Sequence, residues 1–367
     1  MKPRILVWGM TNNRAGTEKV IVNVTTALAD YVDFDFLVFE DVSVWPDLFA
    51  SGNKQIIIPN KRTNYLAYKK AIKEFFAQHA SEYDAIWMNI NIPNNVDALR
   101  LAKSYGIPIR IAHAHNSAND GRLHHKILSF LNRNRPIHDS TVQWACSDDA
   151  GKYLYRSNSF VQIPNAVDCA SVAFSQQKRN AVRAKLQADE DVLIIGNIGR
   201  LSHQKNQEFL IHAFAGLHKM YPKSLLVIVG CGELESELRE LTESSHVDDA
   251  VMFVGVQSDV QAWLSAFDVF AFPSHFEGAS LALIEAQSNG LPCVTSTNII
   301  DEVVFDDRML KRMAADNPNV WADALLKAGQ KGRIDKPVIP ERYTFSGYKD
   351  LLVRELNAAG LELGAIK

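Results

Sequence analysis

The segment from Phe276 to Ala286 orders its residues in a way that suits the binding of a phosphate group. It is predicted to run from a loop into a helix, where Gly278 permits a tight turn and Ser280 can cap the first helical turn. The first N–H groups of that helix, at Ala279, Ser280 and Leu281, have no partners within it. Because these groups lie at the positive end of the helix dipole, they predict an anion site.

Glu285 is the unusual residue of this predicted helix, since Leu281–Ile284 and Ala286 around it are all apolar. A buried carboxylate without hydrogen-bond donors would be costly. The two hydroxyls of a ribose would supply such donors. A neighbouring lysine or arginine is the alternative partner, because buried charges are usually paired.

A second group of candidate residues runs from Gly199 to Asn206, between the predicted strand Val192–Ile198 and a helix. Arg200 and Lys205 would lie just beyond the carboxyl end of that strand, where two fixed cations could neutralise a diphosphate. Such a clamp on a leaving phosphate needs no metal, and each well-placed donor can contribute about 3 kcal/mol in the transition state. The alternative is a pair of solvated charges at a helix end, since most lysines and arginines are exposed.

Short apolar runs alternate with amphipathic stretches along the chain, which is typical of an α/β protein with parallel sheets. The predicted strands are Ile5–Trp8, Phe34–Phe39, Gln55–Ile58, Ala85–Met88, Ile109–Ala112, Thr141–Cys146, Val192–Ile198, Leu225–Val229, Val251–Val254, Val269–Phe272 and Cys293–Thr295. A segment with proline and asparagine, Val161–Asp168, interrupts the pattern as a linker would. We therefore predict two doubly wound Rossmann-like domains, residues 1–165 and 166–347, with ligands in the cleft between them. A last helix, at about 348–367, could pack back on the first domain.

The composition excludes several classes of protein. The 367 residues are 47% hydrophobic and 22% charged, which excludes a disordered chain, and their number favours two domains. The longest apolar runs have the length of strands and not of membrane spans, and the apolar stretch after the N-terminus is too short for a secretion signal. Four separated cysteines predict buried thiols in a reducing compartment: Cys146, Cys169, Cys231 and Cys293. We therefore expect a cytoplasmic protein.

Charge is distributed unevenly along the chain, with a net charge of +4 up to Asn165 and −7 beyond it. This asymmetry suggests two bodies with different partners. Two stretches of the first half, Lys61–Lys73 and Arg122–Arg135, are both basic and amphipathic. Such faces can rest on anionic lipid, where each basic residue adds about 1 kcal/mol. Packing of the apolar side on the core explains these stretches equally well.

Neither a metal site nor a dinucleotide cofactor is predicted. Asp33 and Asp35 have the spacing of a metal-binding DxD motif but lie in an alternating strand pattern, so we interpret them as surface carboxylates. The histidines show neither an HExxH pattern nor a partnering cysteine cluster. Gly230 and Gly232 follow a strand as in a dinucleotide-binding loop, but Glu235 stands where the third glycine is needed.

The combination of these motifs resembles the retaining GT-B glycosyltransferases of family 4, or group 1, over nearly the whole chain. It comprises Glu277 and Glu285 with seven residues between them, the earlier Gly199–Asn206 segment, and the Ile163–Asn165 linker. Three further segments are similar to the branch that assembles bacterial exopolysaccharide and capsule: Gly255–Asp268, Glu285–Gln287 and Gly290–Cys293.

The resemblance implies which residues bind the donor, a nucleotide diphosphate sugar. The implied donor-binding residues are Gly16, Arg200, Lys205, Val256, Gln257, Glu277, Gly278, Ala279, Ser280, Leu281 and Glu285. Among them, Arg200 and Lys205 would bind the diphosphate. Glu277 would contact sugar hydroxyls near C3 and C4, and Glu285 would hold the ribose. The backbone around Val256 would border the base.

In the first domain, Ala15, Gly16 and Thr17 match the family's glycine loop after the first strand, with Ala15 where a glycine is frequent. This helix N-terminus would approach the donor phosphate and the acceptor. His115 falls where the family has a histidine beside the reacting sugar, and Asn116 follows it on the acceptor side. The catalytic residues implied by the resemblance are His115, Arg200, Lys205 and Glu277.

The implied reaction transfers a hexose or an N-acetylhexosamine from a donor, with UDP as the expected nucleotide, to a glycan or polyprenyl-linked acceptor. The anomeric configuration would be retained without a metal. The implied setting is surface polysaccharide synthesis in the cytoplasm, at the inner face of the membrane if the basic stretches touch lipid, with no nucleic-acid partner. A nucleotide-sugar 2-epimerase of the same fold and a non-catalytic nucleotide-sugar-binding protein are the alternatives.

Overall fold

The chain forms two compact units, each with a parallel β-sheet. Unit 1 comprises Met1–Ala166 and Phe345–Lys367, and unit 2 comprises Val167–Thr344. The computed structural model describes residues 2–13, 16–43, 45, 48–49, 52–116, 123–157, 159–299, 303–306 and 308–363, with the backbone alone at 123–126. The predicted residue Ala15 lies outside the described residues.

Unit 1 is built on a seven-stranded sheet in the order β3-β2-β1-β4-β5-β6-β7. Its strands are β1 (Arg4–Trp8), β2 (Asp33–Val38), β3 (Lys54–Ile57), β4 (Ala85–Ile90), β5 (Ile109–Ala114), β6 (Val142–Ala145) and β7 (Val161–Gln162). Its helices are α1 (Gly16–Ala27), α2 (Tyr65–His79), α3 (Asp97–Ser104), α4 (Leu123–Asn132), α5 (Arg135–Asp139), α6 (Asp148–Tyr155) and, from the end of the chain, α14 (Phe345–Ala358). The strand order reverses between β1 and β4, which is where such sheets commonly bind ligands.

The strands of unit 1 are nearly continuous apolar runs because helices cover both faces of a parallel sheet. All six residues of β4 are buried. Ile86 and Met88 of this strand pack in one core cluster with Tyr68 and Phe76 of α2. The C-terminal helix α14 packs against α1. Its Tyr348 side chain is fully buried.

Unit 2 is built on a six-stranded sheet in the order β10-β9-β8-β11-β12-β13. Its strands are β8 (Leu193–Ile198), β9 (Ser224–Val229), β10 (Val251–Phe253), β11 (Val269–Phe272), β12 (Cys293–Ser296) and β13 (Leu310–Met313). Its helices are α7 (Cys169–Val172), α8 (Gln176–Lys185), α9 (Gln207–Met220), α10 (Glu235–Ser244), α11 (Val260–Ala266), α12 (Leu281–Ser288) and α13 (Pro318–Lys331). Here the strand order reverses between β8 and β11.

Alternate residues of β8 enter two different cores, one on each face of the sheet. Ile195 belongs to the cluster that contains Phe214 of α9 and Trp321 of α13. Ile194 belongs to the cluster that contains Phe270 of β11 and Leu283 of α12. Each fully buried side chain of this kind contributes about 1.5–3 kcal/mol. The two cores together hold the ends of β8 and β11, and the loops that follow them, in place.

The prediction of four buried thiols is only half right. Cys146 and Cys293 are buried, Cys169 is half-buried and Cys231 is exposed. Burial raises the pKa of the Cys293 thiol. Cys231 lies in a loop after β9, where the apolar residues that precede it in sequence do not cover it.

Two expectations about strands and carboxylates are also wrong. Asp35 is buried and not a surface carboxylate, because Tyr83 donates to its Oδ2 atom at 3.1 Å and the Arg4 guanidinium lies 3.5 Å away.

The unit 2 sheet does not end at β12, since β13 pairs with it in parallel. β13 escaped prediction because its two central residues, Lys311 and Arg312, are exposed at the sheet edge.

Candidate active site

The predicted donor-binding loops of unit 2 follow the carboxyl ends of strands that lie close together in one sheet. Arg200 and Lys205 follow β8, Val256 and Gln257 follow β10, and Glu277 follows β11. Because these strands are parallel and lie in the order β10-β9-β8-β11, their loops gather at one edge of the sheet. This edge and the N-terminus of α12 form the candidate site of unit 2.

Lys205 and Glu277 form a largely buried ion pair at this edge. The Nζ atom lies 2.7 Å from Oε1, and the two side chains are 16% and 7% exposed. The same Nζ lies 4.8 Å from the centroid of the Phe272 ring, within the range of a cation–π interaction. The structure thus brings together two residues that the resemblance assigned separately to the diphosphate and to the sugar.

Hydrogen bonds join the loop after β8 to the loop after β11. The N–H of His275 donates to the Gln204 carbonyl at 2.8 Å, and Gln204 Nε2 donates to the Phe276 carbonyl at 3.0 Å. Asn206 Nδ2 donates to the Pro273 carbonyl at 3.1 Å. Because these bonds are already made, the cation between the two loops is held in place before any ligand arrives.

Arg200 is positioned differently from Lys205. Its side chain is 68% exposed and pairs with Glu233, which is 54% exposed, at 3.0 Å. An exposed pair of this kind contributes at most about 1 kcal/mol. The expectation of two fixed cations is therefore wrong for Arg200, which can exchange Glu233 for another anion at little cost.

Gly230 shapes the loop that carries Arg200, a role that the sequence did not reveal. Its φ is +138°, and a Cβ there would lie 2.0 Å from the Gly199 carbonyl oxygen. The N–H of Leu201 donates to the Cys231 carbonyl at 3.1 Å. The glycines after β9 therefore allow the loop after β9 to pack closely against the loop after β8.

The N-terminus of α12 is formed as predicted, but not by the predicted cap. The backbone bends at Gly278, and Ser280 occupies the N-cap position with φ −67° and ψ 116°. The Ser280 side chain makes no capping hydrogen bond to a described residue, so the expected side-chain cap is wrong. The buried Ala279 and the half-buried Leu281 flank this position. The first turn of α12 therefore presents the positive end of its dipole to the sheet edge.

Glu285 lies on the second turn of α12 and is buried, as its apolar surroundings predicted. Its exposed fraction is 8%, and the neighbouring Leu283, Ile284 and Ala286 are fully buried. Glu285 also makes an interaction within the structure.

The loop after β10 completes the edge. Val256 is 50% exposed, whereas Gln257 folds back so that its Nε2 donates to the Val254 carbonyl at 2.5 Å. The carbonyl of Gly255, just before Val256, accepts a hydrogen bond from the N–H of Gly230 at 2.9 Å. An exposed apolar side chain beside such a loop suits contact with a planar base.

His115 lies at the carboxyl end of β5 in unit 1, next to the end of β4. Its Nε2 atom is 2.8 Å from Asn89 Oδ1, and its ring centroid is 4.2 Å from that of the fully buried His113. Burial lowers the pKa of His115 to about 3, so the imidazole is neutral near pH 7. The described residues contain no group of three or more His, Cys, Asp or Glu side chains that could hold a metal ion.

The other predicted residues of unit 1 lie around the start of α1 and the end of β5. Thr17, in the first turn of α1, donates to Asn91 Oδ1 at 2.9 Å. Gly16 is exposed, with open space where a Cβ would point, and Asn116 is exposed after β5. The start of α1 and the carboxyl ends of β4 and β5 thus place these polar residues along one edge of the unit 1 sheet.

Two further buried polar residues of unit 1 escaped prediction, and the sequence carried a signal for one of them. Asn89 is 7% exposed within the apolar run Ala85–Ile90. Glu18 is 6% exposed and accepts a hydrogen bond from Thr11 Oγ1 at 2.5 Å, and burial raises the pKa of its carboxyl. The argument that identified Glu285, a polar side chain among apolar ones, applies to Asn89 but not to Glu18, whose neighbours in sequence are Thr17 and Lys19.

The two basic amphipathic stretches differ in where their apolar side chains lie. In α2, Tyr68, Ile72 and Phe76 are buried in the core. The large apolar residues that this helix exposes, Tyr65 and Leu66, lie in its first turn. In α4, Phe130 and Leu131 are 60% and 69% exposed, and Ile127 and Leu128 are exposed as well. Within the described part of the chain, every helix is too short or too polar to cross a bilayer.

Residues 178–328 match the family model of Glycosyl transferases group 1. The matched range lies within unit 2 and contains all six strands of its sheet. It includes Arg200, Lys205, Glu277 and Glu285.

Individual proteins resemble the chain over its length and over parts of it. It is 26% identical over 348 residues to a protein of Bacillus subtilis (strain 168) named "Putative glycosyltransferase EpsF", over 92% of this chain and 90% of that protein. It is 34% identical over 137 residues to the Escherichia coli UDP-Gal:alpha-D-GlcNAc-diphosphoundecaprenol alpha-1,3-galactosyltransferase, over 36% of this chain and 35% of that enzyme.

Among solved structures, Anabaena Alr3699/HepE in complex with UDP-glucose superposes with a TM-score of 0.78. The match covers 97% of this chain and 99% of that one at 17% sequence identity. At this identity the likeness establishes the fold alone. The predicted fold class, two Rossmann-like domains with parallel sheets as in GT-B glycosyltransferases, is confirmed.

Proposed function

We propose that this chain is a glycosyltransferase that moves a hexose or an N-acetylhexosamine from a UDP-linked donor to a glycan or polyprenyl-linked acceptor. One observation carries the proposal. A buried ion pair, Lys205–Glu277, lies at the carboxyl edge of a sheet that matches the group 1 model. The galactosyltransferase of Escherichia coli supports a UDP donor and a lipid-linked acceptor by what its name states. Such an acceptor belongs to surface polysaccharide synthesis.

The diphosphate of the donor would bind at the N-terminus of α12, beside Lys205. The dipole and first N–H groups of α12 favour a negative charge there, and Lys205 adds a full positive charge. Arg200 would release Glu233 and close on the diphosphate from the solvent side. Glu285 would accept hydrogen bonds from the ribose hydroxyls. Val256 would lie along the base.

In the proposed reaction, the bond between the anomeric carbon and the diphosphate oxygen breaks while the acceptor hydroxyl attacks from the same face. Positive charge develops on the sugar ring, and negative charge develops on the departing diphosphate. Lys205 and the α12 N-terminus stabilise the negative charge, a contribution of about 3 kcal/mol per well-placed donor. The departing phosphate oxygen takes the acceptor's proton. Because the hydroxyl attacks from the face that the phosphate leaves, the configuration at the anomeric carbon is retained. Glu277 holds Lys205 in position and accepts hydrogen bonds from sugar hydroxyls.

We propose that this transfer requires no metal ion, because cations of the chain itself meet the charge of the leaving group. The test is the rate of UDP release after treatment with EDTA, compared with the rate after manganese or magnesium is restored. An unchanged rate is expected. A strict requirement for manganese would contradict the proposed role of Lys205.

We also propose that α4 rests on the membrane that holds a lipid-linked acceptor. Its apolar side chains, Phe130 and Leu131 among them, are exposed, and Arg133 and Arg135 follow on the C-terminal side. Basic residues near an anionic surface add about 1 kcal/mol each. We expect the chain to sediment with phosphatidylglycerol vesicles but not with phosphatidylcholine vesicles. The variant Phe130→Asp should lose this binding, whereas Val320→Asp, at an exposed apolar residue of unit 2, should keep it.

The main experiment measures UDP release from a panel of UDP-hexoses and UDP-N-acetylhexosamines, with and without polyprenyl-diphosphate-linked sugars. Transfer to an acceptor is expected, and NMR of the product would show whether the anomeric configuration is retained. Lys205→Ala should reduce UDP release by about 10²–10³-fold. Lys223→Ala is the matched control, because Lys223 forms an exposed ion pair with Asp191 in the same unit.

Two outcomes of this experiment would indicate a different function. A donor that is epimerised at C2 in the absence of acceptor would show a nucleotide-sugar 2-epimerase. Binding of the donor with no turnover under any acceptor would show a nucleotide-sugar-binding protein. An inverted product would contradict the proposed stereochemistry but not the transfer itself.

A further inference from the structure

We infer that Asn89 is a positioning residue that fixes the tautomer of His115 and thereby makes its Nδ1 atom a hydrogen-bond acceptor for a sugar hydroxyl. The inference rests on the proposed function for the identity of the ligand. The tautomer itself follows from the hydrogen bonds around the ring.

The orientation of the Asn89 amide is determined by the carbonyl of Trp8. Asn89 Nδ2 lies 3.1 Å from this oxygen, and a carbonyl oxygen can only accept. The amide nitrogen must therefore face Trp8, and the amide oxygen must face His115, whose Nε2 is 2.8 Å away. Since the amide oxygen also only accepts, Nε2 of His115 must carry the hydrogen.

The surroundings prevent Asn89 from turning over. It is 7% exposed and lies in β4, in register with His113 of β5. Gly9 packs directly against it, since a Cβ at Gly9 would lie 2.9 Å from the Asn89 Cβ. Gly9 also has a φ of +110°, which other residues rarely adopt. The glycine after β1 is thus needed to leave room for the asparagine.

The ring of His115 is held from its other side as well. The His113 ring packs against it at a tilt, with a centroid distance of 4.2 Å, and Trp87 Nε1 donates to His113 Nδ1 at 3.3 Å. The main-chain N–H of His115 donates to the Ile90 carbonyl at 3.1 Å. Burial lowers the pKa values of both imidazoles, so both rings are neutral.

A neutral imidazole with its hydrogen on Nε2 has its lone pair on Nδ1. Among the described residues, no hydrogen-bond donor is placed against this Nδ1 atom. A hydroxyl of the bound sugar can therefore donate to it, which would orient the sugar without any proton transfer. In this role His115 acts as a hydrogen-bond acceptor, which agrees with a reaction in which the departing phosphate takes the acceptor's proton.

The test is a long-range ¹H–¹⁵N NMR spectrum of the full-length ¹⁵N-labelled chain, with His115→Gln to assign the signals. Between pH 5 and pH 8 we expect His115 to be neutral with its hydrogen on Nε2. Addition of UDP-glucose or UDP-galactose should shift the Nδ1 signal and leave Nε2 protonated. A hydrogen on Nδ1, or a protonated ring at pH 6, would overturn the inference before any variant of Asn89 is measured.

Variants of Asn89 add a kinetic measurement. Asn89→Ala frees the ring, so the spectrum should show a mixture of tautomers, and kcat/KM should fall by up to about 100-fold through misplacement of His115. Asn23→Ala is the matched control, because Asn23 is 8% exposed and also donates to a main-chain carbonyl in unit 1. A single unchanged tautomer in Asn89→Ala would refute the role of Asn89. If the tautomer is as expected but no UDP-sugar is turned over, the proposed function fails and the tautomer assignment stands.

Discussion

The substitution Lys205→Ala separates a catalytic role of the Lys205–Glu277 pair from a purely structural one. The variant leaves the Glu277 carboxylate, which is 7% exposed, without its cation. Breaking a fully buried pair in this way costs about 3–5 kcal/mol. Because the Lys205 side chain keeps 16% exposure, we expect the lower value, about 3 kcal/mol. At 2–4 °C per kcal/mol for a unit of this size, the melting temperature should fall by roughly 6–12 °C.

The same variant should reduce UDP release by about 10²–10³-fold at a temperature where it is still folded, because one charge on the leaving group is lost. Adding Glu277→Gln removes the unpaired carboxylate. The double variant should therefore recover most of the free energy of unfolding but none of the activity. Urea denaturation followed by fluorescence measures the first quantity, and UDP release from the best donor measures the second.

Lys223→Ala provides the comparison, since its ion pair with Asp191 is exposed and should change the free energy of unfolding by less than about 1 kcal/mol. Recovery of both stability and activity in the double variant would show that the pair only supports the fold. Full activity in Lys205→Ala would refute the proposed charge stabilisation altogether.

Three further substitutions and one titration test other parts of the structure. Glu233→Gln should tighten UDP binding by up to about fivefold in calorimetry, because Arg200 loses a competing carboxylate. Gly230→Ala should cost roughly 1–3 kcal/mol in urea denaturation through its clash with a main-chain oxygen, and should raise KM for the donor. Glu18→Gln should stabilise the chain at pH 8 and not at pH 4, since burial raises the pKa of Glu18 and its ionisation at higher pH opposes folding. Below pH 6.5 the chain should lose stability, because neutral His115 takes up a proton only on unfolding; His115→Gln should reduce that slope by about 1.4 kcal/mol per pH unit.

The residues of the unit 2 site could be predicted because each stands out within its own segment. Glu285 is charged among apolar neighbours, and Lys205 follows an apolar run at the start of a helix. The alternation of apolar runs and amphipathic stretches also predicted the parallel α/β units, since parallel strands are buried on both faces. Both predictions rest on patterns that can be read within a few residues of the chain: the period of the apolar residues, and a charged residue among apolar ones.

The pairing of those residues depends on tertiary structure. Lys205 and Glu277 are 72 residues apart, and they meet because β8 and β11 are neighbours in the sheet. Strand order also brings Gly230 against the loop of Arg200, although in sequence its glycine pattern looked like part of a dinucleotide-binding motif.

The sequence by itself determined which side chains could carry charge, where chain reversals occur, and that the chain would form parallel α/β units. Only the tertiary structure decided that Arg200 is exposed and paired with Glu233, that Cys231 is exposed, and that Asn89 faces His115. The physical reason is the range of the interactions. Periodicity and capping act between near neighbours in the chain, whereas burial and hydrogen-bond partners depend on which strands lie side by side.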